Sequence, residues 1–433
     1  MSRARFIDQR TAILIVVANM IGTGVFTTLG LQAEGVPDGA ALLLLWLIGG
    51  LVALCGALCY AELAAALPRS GGEYHFLSRI YHPLLGQLAG WVSVTVGFAA
   101  PVALAAMAMG YYTATVLPVS PMLVGVTAVL LITAAHAFDV RLGRFVQVSA
   151  TWMKVAIILL FCAVGLSLPA TPGSLPTVPS MMTLEAIWSA PFAVSLIYVA
   201  YAYSGWNAAA YLVDEVQDPR RAVPRALLVG TVIVTLLYLL LNLTFLRSID
   251  AAELAGRVEV GALSAETIFG AAGGQQMSLV LTLLLISTIS AMVLAGPRVL
   301  ERIGEDLPWL RPLSLRNRRG APTRAVLLQQ GLALLMILTG SFADVLSFAG
   351  FTLTLFAAIT VAGTLRLRRR EPELPRPFRI PWYPLPPILF ILVSFASLVF
   401  LAWERPWPVV LAGLFLLCGW LLVRVERRHS ARE

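Results

Sequence analysis

The chain has 433 residues, of which 59% are apolar and only 12% charged, with a mean hydropathy of +0.84. Soluble domains carry about 25% charged residues, so an aqueous globular enzyme is excluded. The +8 balance and pI near 9.6 would allow a nucleic-acid partner, but 30 of the 31 basic residues are arginine and their placement gives them another task.

Apolar runs of about 18 residues or more, each able to cross a ~30 Å hydrocarbon core, recur from Thr11 almost to the C-terminus. They predict an all-α polytopic membrane protein with twelve spans, at 11–33, 39–67, 86–117, 121–137, 145–168, 187–213, 224–247, 275–300, 323–340, 343–365, 386–403 and 407–424. The polar stretch Met1–Arg10 and the long span after it do not read as a cleavable signal. Counting loops alternately puts 27 arginines on one side, including the runs Arg316–Arg319 and Arg366–Arg370, and only Arg247, Arg257 and Arg405 on the other. The positive-inside rule then places both termini in the cytoplasm of a cell-membrane protein and accounts for the pI without nucleic acid. Anionic-lipid binding is the lesser reading of the arginine runs.

The first span is interrupted by Ile21-Gly22-Thr23-Gly24-Val25-Phe26, and the sixth by Tyr201-Ala202-Tyr203-Ser204-Gly205-Trp206-Asn207. Either alone could be a helix-packing notch. As a matched pair they are the best sequence pointer to a transport site. Helices 1–5 (residues 1–168) and 6–10 (residues 187–368) then form two halves; five is odd, so the halves are inverted, and helices 11 and 12 (residues 386–433) stand outside. Free backbone groups are costly in lipid unless they line a cavity or are buried in protein. A small zwitterion suits them: the N–H groups of Thr23, Gly24 and Val25 face an anion at a helix N-terminus. Carbonyls at Ile21, Tyr201 and Ala202 accept from an ammonium. Tyr201, Tyr203, Ser204, Trp206 and Asn207 are the side chains placed to read the substituent. Those side chains are apolar or uncharged, with no carboxylate for a cationic side chain, so the expected substrate is a small to medium neutral α-amino acid.

Lys154 lies about ten residues into the fifth span, roughly 15 Å deep at 1.5 Å per residue. A centred lysine costs about 2.5–3.5 kcal/mol to insert and should face the bundle interior with a partner. No acidic residue stands mid-span nearby, so the loosened carbonyls near Gly22 are the expected partners. The ammonium is then either a titrating proton carrier or a fixed charge replacing a coupling cation. Cys55, Cys59, Cys162 and Cys418 all fall within spans, and without a nearby histidine they read as small apolar packing. No metal or cofactor is expected. Glu62 and Glu215, at span ends, form an inner gate with loop arginines or are solvated charges.

The residues resemble the amino acid–polyamine–organocation family of transporters, and more closely its L-type and cationic amino acid branches. The resemblance rests on Gly22-Thr23-Gly24-Val25-Phe26, on Tyr60-Ala61-Glu62 with Pro68-Arg69-Ser70-Gly71-Gly72-Glu73-Tyr74, and on Tyr201 to Asn207 followed by Glu215, Asp218-Pro219 and Pro224-Arg225. Gly296-Pro297-Arg298 and Arg376-Pro377-Phe378-Arg379-Ile380-Pro381 extend it across the chain. It implies the 5+5 inverted-repeat fold, alternating access and substrate held at the two breaks. It also implies that Lys154 takes the place of sodium in sodium-coupled transporters of the fold, with Ser287 and Ser290 nearby. Phe245 stands where many L-type relatives have a tyrosine, which would remove a hydroxyl from the gate. No extracellular-loop cysteine is seen, so the resemblance implies no disulfide-linked accessory subunit. Competing readings are amine or polyamine transport in the same fold, a channel, and an intramembrane enzyme built on Ser204 with His136 as base, the last at the wrong depth.

Overall fold

Local capping signals delimit the helices as the sequence dictates. Asp8 accepts from Thr11 N–H at 2.9 Å and starts α1 (Gln9–Met20). Asp38 accepts from Ala41 N–H at 2.7 Å and starts α3 (Gly39–Ala66), while Ser341 and Asp344 form a reciprocal capping box at the head of α17 (Phe342–Arg370). The computed structural model describes residues 7–138, 143–306, 311–315, 317 and 322–430. Of the topology-setting arginines, Arg3, Arg5, Arg141, Arg316, Arg318, Arg319 and Arg432 lie outside the described residues, as do the side chains of Arg144, Arg298, Arg302, Arg427, Arg428 and His136.

The elements between these follow in order. They are α2 (Gly24–Gly35), α4 (Glu73–Ile80), α5 (Pro83–Val92), α6 (Ala99–Ala114), α7 (Pro121–Phe138), α8 (Gly143–Ser167), α9 (Met181–Ile187), α10 (Ala190–Ala202), α11 (Pro219–Ser248), α12 (Ala251–Leu254), α13 (Val260–Phe269), α14 (Ala271–Asp306), α15 (Arg311–Ser314) and α16 (Thr323–Thr339), with α18 (Leu385–Glu404) and α19 (Pro406–Ser430) closing the chain. No β-strand occurs among the described residues.

Among the described residues, eight helical stretches are long and apolar enough to cross a membrane, or nine if α9 and α10, bent by 70°, count as one span. The spans expected at 121–137, 145–168 and 323–340 coincide with shorter apolar helices, Pro121–Ala135, Thr151–Ser167 and Thr323–Thr339. Large apolar side chains such as Leu131, Leu160, Leu283 and Phe395 are about two-thirds exposed on the outer surface. Such a surface belongs in lipid, since soluble monomers rarely expose apolar patches of that extent. The chain is a multi-pass, all-helical membrane protein.

Two expectations are corrected and one helix is added. The span read as continuous over 86–117 is divided by a π-helical turn, Ser93–Gly97, between α5 and α6; such turns collect at functional sites, and hydropathy cannot register them because composition does not change. The helix α13, between the seventh and eighth expected spans, packs against α14 and α2. Arg366, Arg368, Arg369 and Arg370, read as a loop, are the last turns of α17.

That extension of α17 has a structural use. Arg368 donates to both carboxylate oxygens of buried Glu62 on α3, through Nε at 2.7 Å and through its terminal NH₂. Ile380 N–H reaches the same carboxylate at 2.8 Å, Arg376 lies 3.5 Å from it, and the Arg368 guanidinium stacks 3.7 Å over Tyr383. Glu62 therefore joins α3, α17 and the segment leading to α18. Replacing it with glutamine leaves Arg368 and Arg376 without their countercharge, at a cost on the order of 3 kcal/mol. We expect Glu62→Gln to lower the unfolding temperature in detergent well beyond any effect of Arg79→Gln, whose partner Glu371 is a third exposed; equal, small shifts would show that the Glu62 cluster carries no such energy.

Candidate functional site

Both interruptions are breaks in the helices, and they meet. Helix α1 ends at Met20; Ile21, with φ −75° and ψ 81°, leaves the helical path, and α2 begins at Gly24. Helix α10 ends at Ala202. A Cβ on Gly24 would stand 2.5 Å from Ala202 Cα, so only glycine lets the two backbones approach this closely. Gly205 adopts φ +100°, with a Cβ position 2.8 Å from the Asn19 carbonyl carbon, and is required both by conformation and by space. The halves are not symmetric. After the second break the chain forms two short 3₁₀ turns, Ala208–Tyr211 and Val213–Glu215, where an α-helical half was expected through residue 213.

A cavity of about 290 Å³ lies between the breaks, close to the lower bound of about 300 Å³ for small-molecule sites. Gly22, Thr23, Gly24, Tyr201, Ala202, Ser204, Trp206 and Asn207 line it. Buried Val25 and Ile21 do not. The cavity follows α1 back to Ile15 and reaches Glu73 and Tyr211, while no residue of α2 beyond Gly24 contributes to its wall. Tyr203 touches it but turns its hydroxyl to Trp46 O at 3.1 Å and packs on Trp46 and Tyr238. Trp206 packs edge-on against Tyr60 at 4.7 Å.

Buried Lys154 directs its ammonium to Ile21 O at 3.4 Å and to Thr288 Oγ1 at 3.3 Å. The carbonyl is one that the break frees from the α1 ladder. The hydroxyl partner is Thr288, not Ser287 or Ser290. Thr288 donates its proton to Leu284 O at 3.0 Å, leaving its lone pairs to the ammonium. Ser287 lines the cavity and Ser290 is engaged elsewhere.

Phe245 is corrected more strongly. It is fully buried beside Phe161 and lines, with Lys154, a separate void of about 10 Å³ and not the central cavity. The α11 hydroxyl at the site comes from Tyr238, two turns earlier, which reaches Met20 O at 2.5 Å and Ala202 O at 3.1 Å and so bridges the ends of both broken helices. Sequence reading missed it because one tyrosine in an apolar helix carries no signal of its own.

Glu73, quoted above only as part of a motif, also lines the cavity. Its carboxylate accepts from Tyr60 Oη at 2.7 Å, from Asn207 Nδ2 at 2.7 Å and from Tyr211 Oη. The expectation of a cavity without a carboxylate is therefore overturned. Glu62 pairs with arginines, as described, but away from the cavity wall. Glu215 meets the N-terminal segment through its backbone, accepting from Ile7 N–H at 3.0 Å.

Two broken helices facing one cavity, within a bundle sheathed in apolar side chains, define a membrane transport protein. The family model for amino acid permeases matches residues 7–423, and the chain belongs to that family, whose members are transporters and not enzymes. It is 29% identical over 391 residues to the serine/threonine exchanger SteT of Bacillus subtilis (strain 168), covering 89% of this chain and 88% of that one. It is 27% identical to the b(0,+)-type amino acid transporter 1 of Mus musculus, over 94% of this chain and 85% of the relative. The large neutral amino acids transporter small subunit 2 of Rattus norvegicus is 28% identical over 90% and 75% of the two chains. The words "small subunit" describe that relative as part of an assembly, so the expectation that no accessory subunit is implied gains no support from it.

Tyr238→Phe keeps the ring packing against Trp46 and Tyr203 but withdraws the hydroxyl that donates to Ala202 O. A buried carbonyl left without a partner costs about 1–3 kcal/mol. We expect a lower unfolding temperature, followed by tryptophan fluorescence; a transition at the parent's temperature would show that the hydroxyl bridge contributes nothing.

Proposed function

We propose that this protein is a secondary active transporter of α-amino acids, small to medium neutral ones among them, that works by alternating access across the cytoplasmic membrane as an exchanger or a proton-linked carrier. The observation that carries the reading is the meeting of the two breaks at one cavity. There the N–H groups of Thr23, Gly24 and Val25 precede the first hydrogen bond of α2, which Phe26 N–H makes to Thr23 O at 3.0 Å, and they offer a carboxylate the positive end of a helix dipole. The α-ammonium finds acceptors among the freed carbonyls of the breaks. Apolar wall positions such as Ala53, Ile197 and Trp206 suit an uncharged substituent. Similarity to a serine/threonine exchanger and to neutral amino acid transporters supports the same substrate class.

The proposed architecture is twelve spans in a 5+5 inverted repeat, residues 1–168 and 187–368, followed by two further spans in 386–433, with both termini on the arginine-rich cytoplasmic side. Sodium independence is supported by Lys154: its ammonium already occupies the Ile21 carbonyl that a coupling cation would use. The cavity extends along α1, toward the proposed cytoplasmic side, and the reading takes this as the inward-facing arrangement.

Two measurements test the proposal. Purified protein screened against the twenty amino acids and common amines should gain thermal stability with α-amino acids, because a ligand of the native state must raise apparent stability; protection by diamines alone would replace it with amine transport. Lys154→Ala should express but lose flux in proteoliposomes, or lose the pH dependence of flux, and an unchanged rate with an unchanged pH profile would remove the coupling role.

A further inference from the structure

The cavity between the breaks also continues behind α10. Leu196 and Ala200, one turn apart on that helix, line it. Ala202 is the α10 residue that meets Gly24 of the first break, and at about 100° per residue Ala200 faces almost the opposite way. Two glycines fix the neighbours on either flank of the Leu196–Ala200 face. A Cβ on Gly49 of α3 would stand 2.2 Å from Val199 Cγ1, and one on Gly350 of α17 would stand 2.6 Å from Ile197 Cγ2. Helix α18 packs against α3, α10 and α17 and closes the space between them. It presents Phe390, Val393, Ser394 and Ser397, a single helical stripe, to the cavity, while Leu392, Phe395 and Val399 on its other side are exposed.

Three hydroxyls in this slot are unpaired. Ser347, Thr352 and Thr360 on α17 return their protons to the carbonyl four residues back, a common use of a hydroxyl within a helix. Ser394 and Ser397 are each 3% exposed, and Thr354, one turn after Gly350 on α17, is 9% exposed. All three line the cavity, and none has a hydrogen-bond partner among the described residues. Burying a hydroxyl without a partner is costly, so three in one slot point to a ligand that pairs with them. The charged groups on the cavity wall, Lys154 and Glu73, are engaged at the first break and at Asn207. An ion entering the slot would find no countercharge there. An aliphatic molecule with a hydroxyl both donates and accepts, and its carbon body fits against Val52, Leu196 and Val393. The whole cavity holds about 290 Å³, which limits the occupant to a short chain.

We propose that the slot between α3, α10, α17 and α18 is a second binding site, separate from the breaks, for a short uncharged aliphatic alcohol. The proposal goes beyond the amino acid reading and does not rest on it, because Thr354, Ser394 and Ser397 belong to neither break.

The test irradiates the purified full-length protein in nanodiscs with 3-azibutanol, a four-carbon alcohol whose diazirine inserts into nearby bonds, and reads the labelled residues by mass spectrometry. We expect saturable labelling of slot residues on α3, α17 or α18, suppressed by excess 1-butanol and untouched by butylammonium or butyrate. The double variant Ser394→Ala, Ser397→Ala should need about tenfold more probe for the same labelling, as the loss of hydrogen bonds implies. Its unfolding temperature without probe should match the parent's, since it gives up no bond within the protein. Ser397→Leu, which fills the slot, should abolish the labelling. Label confined to lipid-facing residues such as Leu392 and Phe395, rising linearly with probe, leaves the slot to water and overturns the proposal. Equal suppression by the two charged analogues overturns it, and so does a double variant with the parent's concentration dependence. Suppression by an α-amino acid that stabilises the protein makes the slot part of the site at the breaks; that outcome removes the second site and leaves the amino acid reading intact.

Discussion

The structure depends on one constraint: peptide groups released from a helix inside hydrocarbon must find partners, because no water is there to take them. Breaking α1 after Met20 frees carbonyls that would otherwise lie within a continuous span. The fold supplies donors to them. Met20 O accepts from Gly22 N–H at 2.8 Å and from Tyr238, Ile21 O from Lys154, and Ala202 O from Tyr238. Tyr201 O and Val199 O are taken by Ser204 and Tyr203 N–H groups as α10 ends. The freed carbonyls are thus largely provided for, whereas of the N–H groups at the head of α2 it is Phe26 that finds an acceptor, Thr23 O at 3.0 Å, ahead of Thr23, Gly24 and Val25, and this imbalance turns a break into an anion-binding surface in the proposed reading.

The same constraint explains why a lysine is tolerated at this depth. An ammonium has three protons to place and no acceptor capacity, and a broken helix is one of the few structures in a membrane that offers a surplus carbonyl. Lys154 and the break at Ile21 therefore make each other affordable. Thr288 completes the arrangement because its own proton is committed to the α14 backbone. The contrast with Glu62 is instructive: there a carboxylate is matched by arginines within the protein, and the result is a joint between elements instead of a binding surface.

What could be read from the sequence was whatever is local or compositional. The glycine motifs give the breaks because only glycine permits the Gly24–Ala202 approach and the Gly205 backbone, and Lys154 declares itself by being a charge amid apolar residues. What escaped is relational. Thr288 rather than Ser287 or Ser290 faces Lys154 because one residue turns a helix by about 100°, and periodicity alone does not give absolute rotation. Tyr238 and Phe245 lie on one helix and are equally apolar in context; only packing decides which hydroxyl, if any, reaches the site. Glu73 sits at a helix start next to a polar loop, where a glutamate is ordinary, and nothing local says that α3 and the post-break segment close over it. The 3₁₀ turns after Asn207 and the π-turn at Ser93 are changes in hydrogen-bond register that leave hydropathy untouched.

Tyr238 brings these strands together. Its hydroxyl carries one proton, yet two carbonyls stand within reach, one from each broken helix. A single donor shared between them fixes their separation without belonging to either, while the missing Cβ at Gly24 removes the steric obstacle to their contact. The unsatisfied N–H groups of α2 and the Tyr201–Asn207 segment are consequently held in a set relation before any ligand enters. Preorganisation of this kind lowers the ordering cost of binding, and it makes the position of Asn207, and through it Glu73, a consequence of the same clasp. The chemistry at the far end of the cavity is in this way referred back to the peptide groups freed at its centre.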